Sequence, residues 1–313
     1  MMDTGNTGHL IRSEVWSSQL KEVLEDELQG QGYVNWMNEF PDGTTFTIPS
    51  IGQAQTDDYT ENSSVQYRAL DTGEFQFTIN KYKSSGNYIT NKAKQDAYYM
   101  NQLVSSFVPK QARAIMETLE TDIMALSASQ TASNANSING AEHRFVGTGT
   151  NEVITVADFA KARFALKKAN VPDRNLIAIV DPSVEYTMNT LSNITNVSNN
   201  PRWEGIISSG IASGMSFLAN IYGFDVYTSN YLADANEQIG GSGPTTAAGK
   251  ANMFFSADSS VLPFVGAWRQ MPQVDSEYNK DKQREEYVTT ARYGVALYRP
   301  ENLVCVLTDT DQV

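Results

Sequence analysis

The sequence contains only one cysteine and two histidines among its 313 residues. Because a disulfide needs two thiols, the chain cannot be a disulfide-stapled scaffold, and a reducing compartment fits it. Cys305 lies in the apolar run 303–307, which predicts a buried strand residue. His9 lies in a polar N-terminal segment and His143 beside a polar loop, so we expect neither a catalytic triad nor a multi-histidine metal site.

Positive charge is also scarce. The chain carries 23 Lys and Arg against 36 Asp and Glu, a formal net charge of −13. This balance repels phosphate backbones, and no basic cluster offsets it, so a dedicated nucleic-acid binder is not expected. No apolar run approaches the ~18 residues of a membrane span, and residues 1–15 lack the apolar core of a signal peptide. We therefore expect a soluble protein made in the cytoplasm.

Sequence motifs for phosphate binding and nucleophilic catalysis are incomplete. The glycine-rich tract 240–250 ends in Gly-Lys, but a phosphate-binding loop needs glycine in place of Pro244 and Ser or Thr in place of Ala251. Ser213 lacks the glycine spacing of a nucleophile elbow. We therefore predict no enzyme activity, no cofactor and no metal site, with an α/β hydrolase as an alternative from a different functional class.

The most regular pattern in the chain is a helical one over residues 90–128. Apolar residues recur there at steps of three and four, as at Ile115 and Leu119, which is the period of one helical face. At 1.5 Å per residue such a helix spans ~54 Å, about the diameter of a globule of this size. Pro109 predicts a kink or a restart near Phe107. We expect an elongated subunit with this helix as its spine.

A second pattern predicts a protruding β-hairpin. Val65, Tyr67 and Ala69 alternate with polar residues, and a turn signal follows at 71–73. The alternation then resumes at Phe75, Phe77 and Ile79. Because an isolated two-stranded hairpin is marginally stable in water, the aromatic face of this one must pack elsewhere. It packs either on its own domain or on a neighbouring subunit.

The remaining segments contain both helix and strand signals, and we expect an α+β fold. An N-terminal amphipathic helix is expected over 11–28. Further helices are expected over 156–168 and 184–191, with strands at 176–180, 221–227, 253–255, 261–268, 287–298 and 303–307. Residues 192–250 are rich in Asn, Ser and Gly, which is typical of long loops.

Two sequence phrases complete a resemblance that the order of elements suggests. They are Gly-Phe-Asp-Val-Tyr-Thr-Ser-Asn at 223–230 and Ala-Arg-Tyr-Gly-Val-Ala-Leu-Tyr-Arg-Pro-Glu-Asn-Leu-Val at 291–304. With the arm helix, hairpin and spine helix that precede them, the chain resembles the major capsid proteins of tailed bacteriophages, which have the Hong Kong-97 type fold. The resemblance covers nearly the whole chain.

The resemblance implies a capsid fold in five segments. They are an N-terminal arm (1–53), an extended β-hairpin loop (54–90), a peripheral domain with the spine helix (91–191), an axial domain (192–250) and return strands that complete both domains (251–313). In the family, the extended loop lies across an adjacent subunit, and axial loops meet around the centres of pentamers and hexamers. The expected intersubunit contacts are therefore Tyr59, Tyr67, Arg68, Phe75 and Phe77 in the extended loop, and Arg202 and Trp203 in the axial domain.

The implied function is that of a major capsid protein, which assembles with itself into an icosahedral head that encloses double-stranded DNA without binding it specifically. A separate scaffolding protein, a portal and a decoration protein are implied partners, and the implied location is the virion, with assembly in the host bacterial cytoplasm. Some members of the family join subunits by a Lys–Asn isopeptide bond from the extended loop. Here no lysine lies between residues 55 and 74, and Lys81 and Lys83 lie near the loop's base, so we expect a noncovalent shell. An encapsulin-like compartment of the same fold, carrying cargo protein, is the alternative.

Overall fold

A computed structural model of the chain describes residues 28–37, 43, 45–51, 56–58, 60–65, 67, 72–96, 100–130, 137–190, 217–235 and 249–309. Four of the expected contact residues lie outside the described residues: Tyr59, Arg68, Arg202 and Trp203. The expected N-terminal helix lies outside them too, apart from its last residue. Across the described ranges, no helix is both long and apolar enough to cross a membrane.

The described residues combine helices and strands, which confirms the α+β class. The helices are α1 (Asn91–Asp96), α2 (Met100–Met124), α3 (Val156–Lys168) and α4 (Pro182–Thr190). The strands are β1 (Val34–Met37), β2 (Thr45–Ile51), β3 (Thr72–Thr78), β4 (Lys81–Thr90), β5 (Arg144–Val146), β6 (Leu176–Val180), β7 (Phe217–Ile221), β8 (Phe224–Thr228), β9 (Gly249–Ser256), β10 (Phe264–Asn279), β11 (Arg284–Leu297) and β12 (Val304–Asp309).

A six-stranded sheet forms the larger core, with strand order β5-β12-β9-β6-β8-β7. All five residues of β6 are buried because helices cover both faces of the sheet. Ile177 and Ile179 of β6 share a hydrophobic cluster with Leu119 of α2. Ala178, on the opposite face, lies in the cluster that contains Phe159 of α3, together with residues of α4. The spine helix and the pair α3 and α4 therefore sandwich this sheet.

A four-stranded sheet, in the order β1-β10-β11-β4, forms the second body of the subunit. Its strands β10 and β11 make a long antiparallel hairpin of 16 and 14 residues. One face of the sheet contacts α2, since the Thr289 hydroxyl donates to Gln111 Oε1 at 2.9 Å and the Tyr293 hydroxyl donates to Asp122 Oδ2 at 2.8 Å. Thus the spine helix contacts both sheets and joins them.

The spine helix is confirmed over Met100–Met124, a shorter range than the predicted 90–128, and its predicted restart needs a correction. Helix α2 runs without interruption over Met100–Met124 with Pro109 inside it, and a 3-10 turn over Ala125–Ser129 follows. The predicted restart near Phe107 is therefore wrong. A proline removes one backbone donor from a helix interior, but the packing of the apolar face, with Leu119 fully buried, stabilises the remaining turns. The kink stays a prediction.

The predicted strand over 221–227 is interrupted by a tight turn. Strands β7 and β8 pair as an antiparallel hairpin, and Tyr222 and Gly223 connect them with φ angles of 51° and 86°. Two positive φ angles define the two-residue turn whose twist matches paired strands. Because a run of aromatic and β-branched residues has the same alternation on both sides of such a turn, the pattern alone predicted one strand.

Most other predicted elements are confirmed. The helix over 156–168 has the predicted bounds, and Asp181 precedes α4, with its Oδ2 accepting from the Ser183 backbone N–H at 2.9 Å. Cys305 is a fully buried residue of β12. The division predicted at residue 191, however, falls within one sheet, because β5 and β6 precede it and β7, β8 and β9 follow it.

Candidate assembly surfaces

Strands β2 and β3 form a two-stranded ribbon that is rooted in its own subunit. The strands pair antiparallel, with Phe46 opposite Phe77 and Ile48 opposite Phe75. The rings of Phe46 and Phe77 stack at 6.5 Å, and both are buried in a cluster with Val265 of β10. The Phe75 ring meets Tyr298 edge-on at 5.1 Å. The aromatic face of the ribbon therefore packs on the four-stranded sheet.

This packing corrects the predicted hairpin and one of its contact residues. The strand that pairs with β3 is β2, not residues 65–69, so the connection between the paired strands covers 52–71. Phe77 is 1% exposed within a single subunit, and a ring that its own chain buries cannot contact a neighbour. The predicted intersubunit role of Phe77 is therefore wrong. Phe75 contacts Tyr298 but is only partly buried, so its intersubunit role stays a prediction.

The connection between β2 and β3, hereafter the extended loop, exposes large apolar side chains. Tyr67 is 94% exposed and Val65 is 59% exposed. The loop still has local order, because the Ser63 backbone N–H donates to the Thr60 carbonyl oxygen at 3.0 Å. The exposure of Tyr67 agrees with its prediction as a contact residue, which stays a prediction. An exposed aromatic is a typical contact residue of protein interfaces.

Strand β4, which follows the ribbon, is tied to the spine helix. Asp122 of α2 pairs with Lys81 Nζ at 3.3 Å and with Lys83 Nζ at 3.9 Å. The Tyr293 hydroxyl donates to the same carboxylate, and burial together with Asp122 raises the pKa of that hydroxyl. The two lysines that the sequence places near the loop's base are thus engaged within their own subunit.

The face of the four-stranded sheet opposite α2 carries exposed aromatics that the sequence interpretation missed. Tyr82 and Tyr88 of β4 are 65% and 59% exposed. The sequence does contain a sign of this exposed face, because side chains alternate between the two faces of a strand. In β4 the odd-numbered residues turn toward α2 and the even-numbered residues do not. Tyr82 lines an open cleft of about 480 Å³ with Asn80, Gln270 and Arg292. The guanidinium of Arg284 lies 4.3 Å from the Tyr88 ring centroid.

The turn between β7 and β8 is anchored to α3 by one arginine. Arg163 donates from Nη1 to the Tyr222 carbonyl oxygen at 2.7 Å and from Nη2 to Asp173 at 2.6 Å. Hydrogen bonds from Arg163 and Lys167 lower the pKa of the Asp173 carboxyl. This side of the six-stranded sheet belongs to the region predicted as axial, whose expected contacts lie outside the described residues.

His143, the histidine within the described residues, lies in the core. His143 is 1% exposed, its Nδ1 lies 3.1 Å from the Ala141 carbonyl oxygen, and burial lowers its pKa. A buried neutral imidazole that contacts backbone is a structural residue in this setting. Within the described part of the chain, no group of three or more His, Cys, Asp or Glu side chains is placed to hold a metal ion.

Comparison with solved structures returns capsids. The chain superposes on the capsid of cyanophage P-SCSP1u with a TM-score of 0.73 at 14% identity, covering 97% of this chain and 94% of that one. The cyanophage Pam1 capsid gives a TM-score of 0.72 at 14% identity, with both chains fully covered at 100%. A chain of Mycobacterium phage Che8 gives 0.68 at 16% identity, covering 96% and 97%. The Hong Kong-97 type fold is thereby confirmed.

Comparison of the sequence itself gives the family. No curated protein sequence matches the chain significantly. A family profile described as phage capsid protein matches residues 37–306, which include the described residues of the ribbon, the spine helix and most of both sheets. The chain therefore belongs to the phage capsid protein family and is a major capsid protein, a structural subunit of a phage head.

Proposed function

We propose that this capsid protein self-assembles as pentamers and hexamers of an icosahedral shell, and that the extended loop holds neighbouring subunits together. The observation that carries the proposal is the exposure of Tyr67 and Val65, 94% and 59%, on a loop whose adjoining strands are already packed. Apolar side chains of this size leave water when another surface covers them. A neighbouring subunit supplies that surface.

The energy available at each contact is modest, which suits assembly. Burying a tyrosine removes ~150–250 Å² from water, and at ~25 cal/mol per Å² the gross gain is ~4–6 kcal/mol. Ordering of the loop and the lost freedom of the subunit offset much of it. A shell repeats the contact many times, so each one can stay weak enough for a misplaced subunit to leave.

The geometry of the contact fits ring formation. A loop that leaves one part of the subunit and meets a different part of the next one makes a heterologous interface. Heterologous interfaces close into rings when the rotation between copies allows it. Pentamers and hexamers are rings of this kind, and the exposed aromatics Tyr82 and Tyr88 offer a receiving surface on a second copy.

The contents and partners of the shell follow from charge and from the family. A net charge of −13 supports enclosure of double-stranded DNA without specific binding, because an acidic lining does not adhere to phosphates. The protein resides in the virion, and we propose assembly in the host bacterial cytoplasm with a separate scaffolding protein, a portal and a decoration protein. The family profile favours this function over the encapsulin-like compartment.

The proposal is tested by removing the extended loop and keeping the ribbon. Residues 53–70 are replaced by a short Gly-Ser linker, which retains Phe46 and Phe77 in their cluster. We expect a subunit with an unchanged circular dichroism spectrum that no longer forms shells in light scattering and electron microscopy. Closed particles from the truncated protein would show that the loop does not hold subunits together. The double variant V65S/Y67S should give the same loss without a change of chain length.

A further inference from the structure

A buried carboxylate on the spine helix has no place in the surfaces described above. Glu120 lies near the end of α2 and is 0% exposed. Its neighbour Leu119 is equally buried in the cluster between α2 and the six-stranded sheet. Removing a carboxylate from water is costly unless hydrogen bonds replace its hydration. The position of Glu120 therefore implies a specific partner.

The partner is the backbone of a segment far away in sequence. Glu120 Oε1 accepts from the Gln29 backbone N–H at 3.0 Å and from the Gly30 backbone N–H at 2.7 Å. Two successive amides that converge on one anion form a small anion-binding site, and bonds to an ionised acceptor are strong. A Cβ at Gly30 would lie 3.0 Å from Oε2 and 3.1 Å from Oε1, which is closer than usual for a Cβ, so any larger residue at position 30 presses on the carboxylate.

Residues 29–37, hereafter the strap, reach both sheets from this point. The Gln29 side-chain amide donates to the Thr228 carbonyl oxygen, at the end of β8 in the six-stranded sheet, at 3.2 Å. The Tyr33 ring packs edge-on against Phe255 of the same sheet at 5.1 Å. Strand β1, the end of the strap, pairs with β10 of the four-stranded sheet. Within its nine residues, the strap thus contacts both sheets and the spine helix.

We infer that Glu120 is a positioning residue for assembly: its carboxylate fixes the position of the strap against the spine helix. The inference rests on the proposed function, because a fixed strap position matters only if copies must be identical when they associate. Rings and shells close only when the same rotation relates each copy to the next. A strap that shifts from copy to copy gives contacts that do not close.

The test compares variants on both sides of the contact between Glu120 and the strap with a matched control. Glu120→Ala removes the acceptor, and Gly30→Ala disturbs the same contact from the strap. Glu120→Gln keeps a side-chain oxygen that can accept both bonds. The control is Glu117→Ala, one turn earlier on α2, whose Oε1 contacts Arg113 at 3.1 Å and Tyr231 at 3.2 Å instead of the strap.

The first readout is amide hydrogen exchange at residues 29 and 30 in disassembled subunits. We expect Glu120→Ala and Gly30→Ala to speed exchange there by about ten- to a hundredfold, while the amides of β6 and the circular dichroism spectrum stay unchanged. The second readout is particle shape in electron microscopy, where both variants should give irregular or open assemblies. Glu120→Gln and Glu117→Ala should keep slow exchange and closed shells.

Two results would overturn the inference. The first is an unchanged exchange rate at residues 29 and 30 in Gly30→Ala, which would show that the carboxylate does not hold the strap. This variant tests the contact even if Glu120→Ala does not fold. Faster exchange with normal closed shells would show that the strap does not position copies. If the wild-type protein forms no shells, the proposed function fails and the assembly role of Glu120 fails with it, whereas the exchange data still report the contact between Glu120 and the strap.

Discussion

Truncation of Phe77 separates the part of the ribbon that stabilises the subunit from the part that joins subunits. The ring is 1% exposed and shares its cluster with Phe46, Ile79 and Val265. Its contact with β11 is also close, since a Cβ at Gly294 would lie 3.1 Å from the ring's Cζ. The change Phe77→Ala therefore opens a cavity inside one chain.

The expected cost follows from that burial. Truncating a buried phenylalanine to alanine lowers the free energy of unfolding by ~3–5 kcal/mol, because burial is lost and the cavity does not fully collapse. For a chain of this size each kcal/mol lowers the melting temperature by ~2–4 °C, so we expect a fall of roughly 6–20 °C. The matched change Tyr67→Ala, at a residue that is 94% exposed, should stay within ~0.5 kcal/mol of wild type.

The assay is thermal denaturation of disassembled subunits followed by circular dichroism, with shell formation scored separately. Phe77→Ala should lower the melting temperature, and Tyr67→Ala should leave it unchanged while reducing assembly. An unchanged melting temperature for Phe77→Ala, combined with a loss of shells, would mean that the ring packs on a neighbour. The reasoning from burial would then be refuted.

Three further predictions concern the spine helix, DNA and acid. Leu119→Ala should lower the free energy of unfolding by ~2–5 kcal/mol in urea denaturation, because the side chain is 0% exposed; an unchanged midpoint would contradict its burial. Free subunits should not bind random duplex DNA at submicromolar concentration in a mobility-shift assay at physiological salt, given the net charge of −13, and such binding would disprove the electrostatic argument. Hydrogen bonds from Arg163 and Lys167 lower the pKa of the Asp173 carboxyl below its usual 3.8. The stabilisation that this ionised carboxylate gives the folded chain is therefore complete above that value and is lost as the pH falls through the lowered pKa. Because Asp173→Asn lacks the titrating group, the variant should lose less stability than wild type between pH 5 and 3.

The elements that the sequence predicts well are those whose signal is local. Helix α3 begins after Thr155, and Asp158 completes its capping box, so the helix start is encoded within four residues. Strand β6 is an uninterrupted apolar run, which a sheet covered on both faces requires. The spine helix follows from the spacing of Ile115, Leu119 and Ile123, all fully or nearly fully buried.

The elements that the sequence misassigns depend on pairing across distance. Residues 65–69 alternate like a strand, but β3 pairs with β2 across a connection of about twenty residues, and no local pattern specifies which strand is the partner. The contact between Glu120 and the strap cannot be predicted from local sequence either, because 90 residues separate Glu120 from Gly30. From the sequence alone, a glutamate beside Leu119 in a helix is predicted to face solvent, and only the fold shows that the strap packs against Glu120.

Electron microscopy of the purified wild-type protein beside the variant that lacks residues 53–70 tests the central claim most directly. The account predicts closed shells of uniform size for the wild type, and folded, unassembled subunits for the variant under the same conditions. Closed shells from both proteins, or from neither, would contradict it.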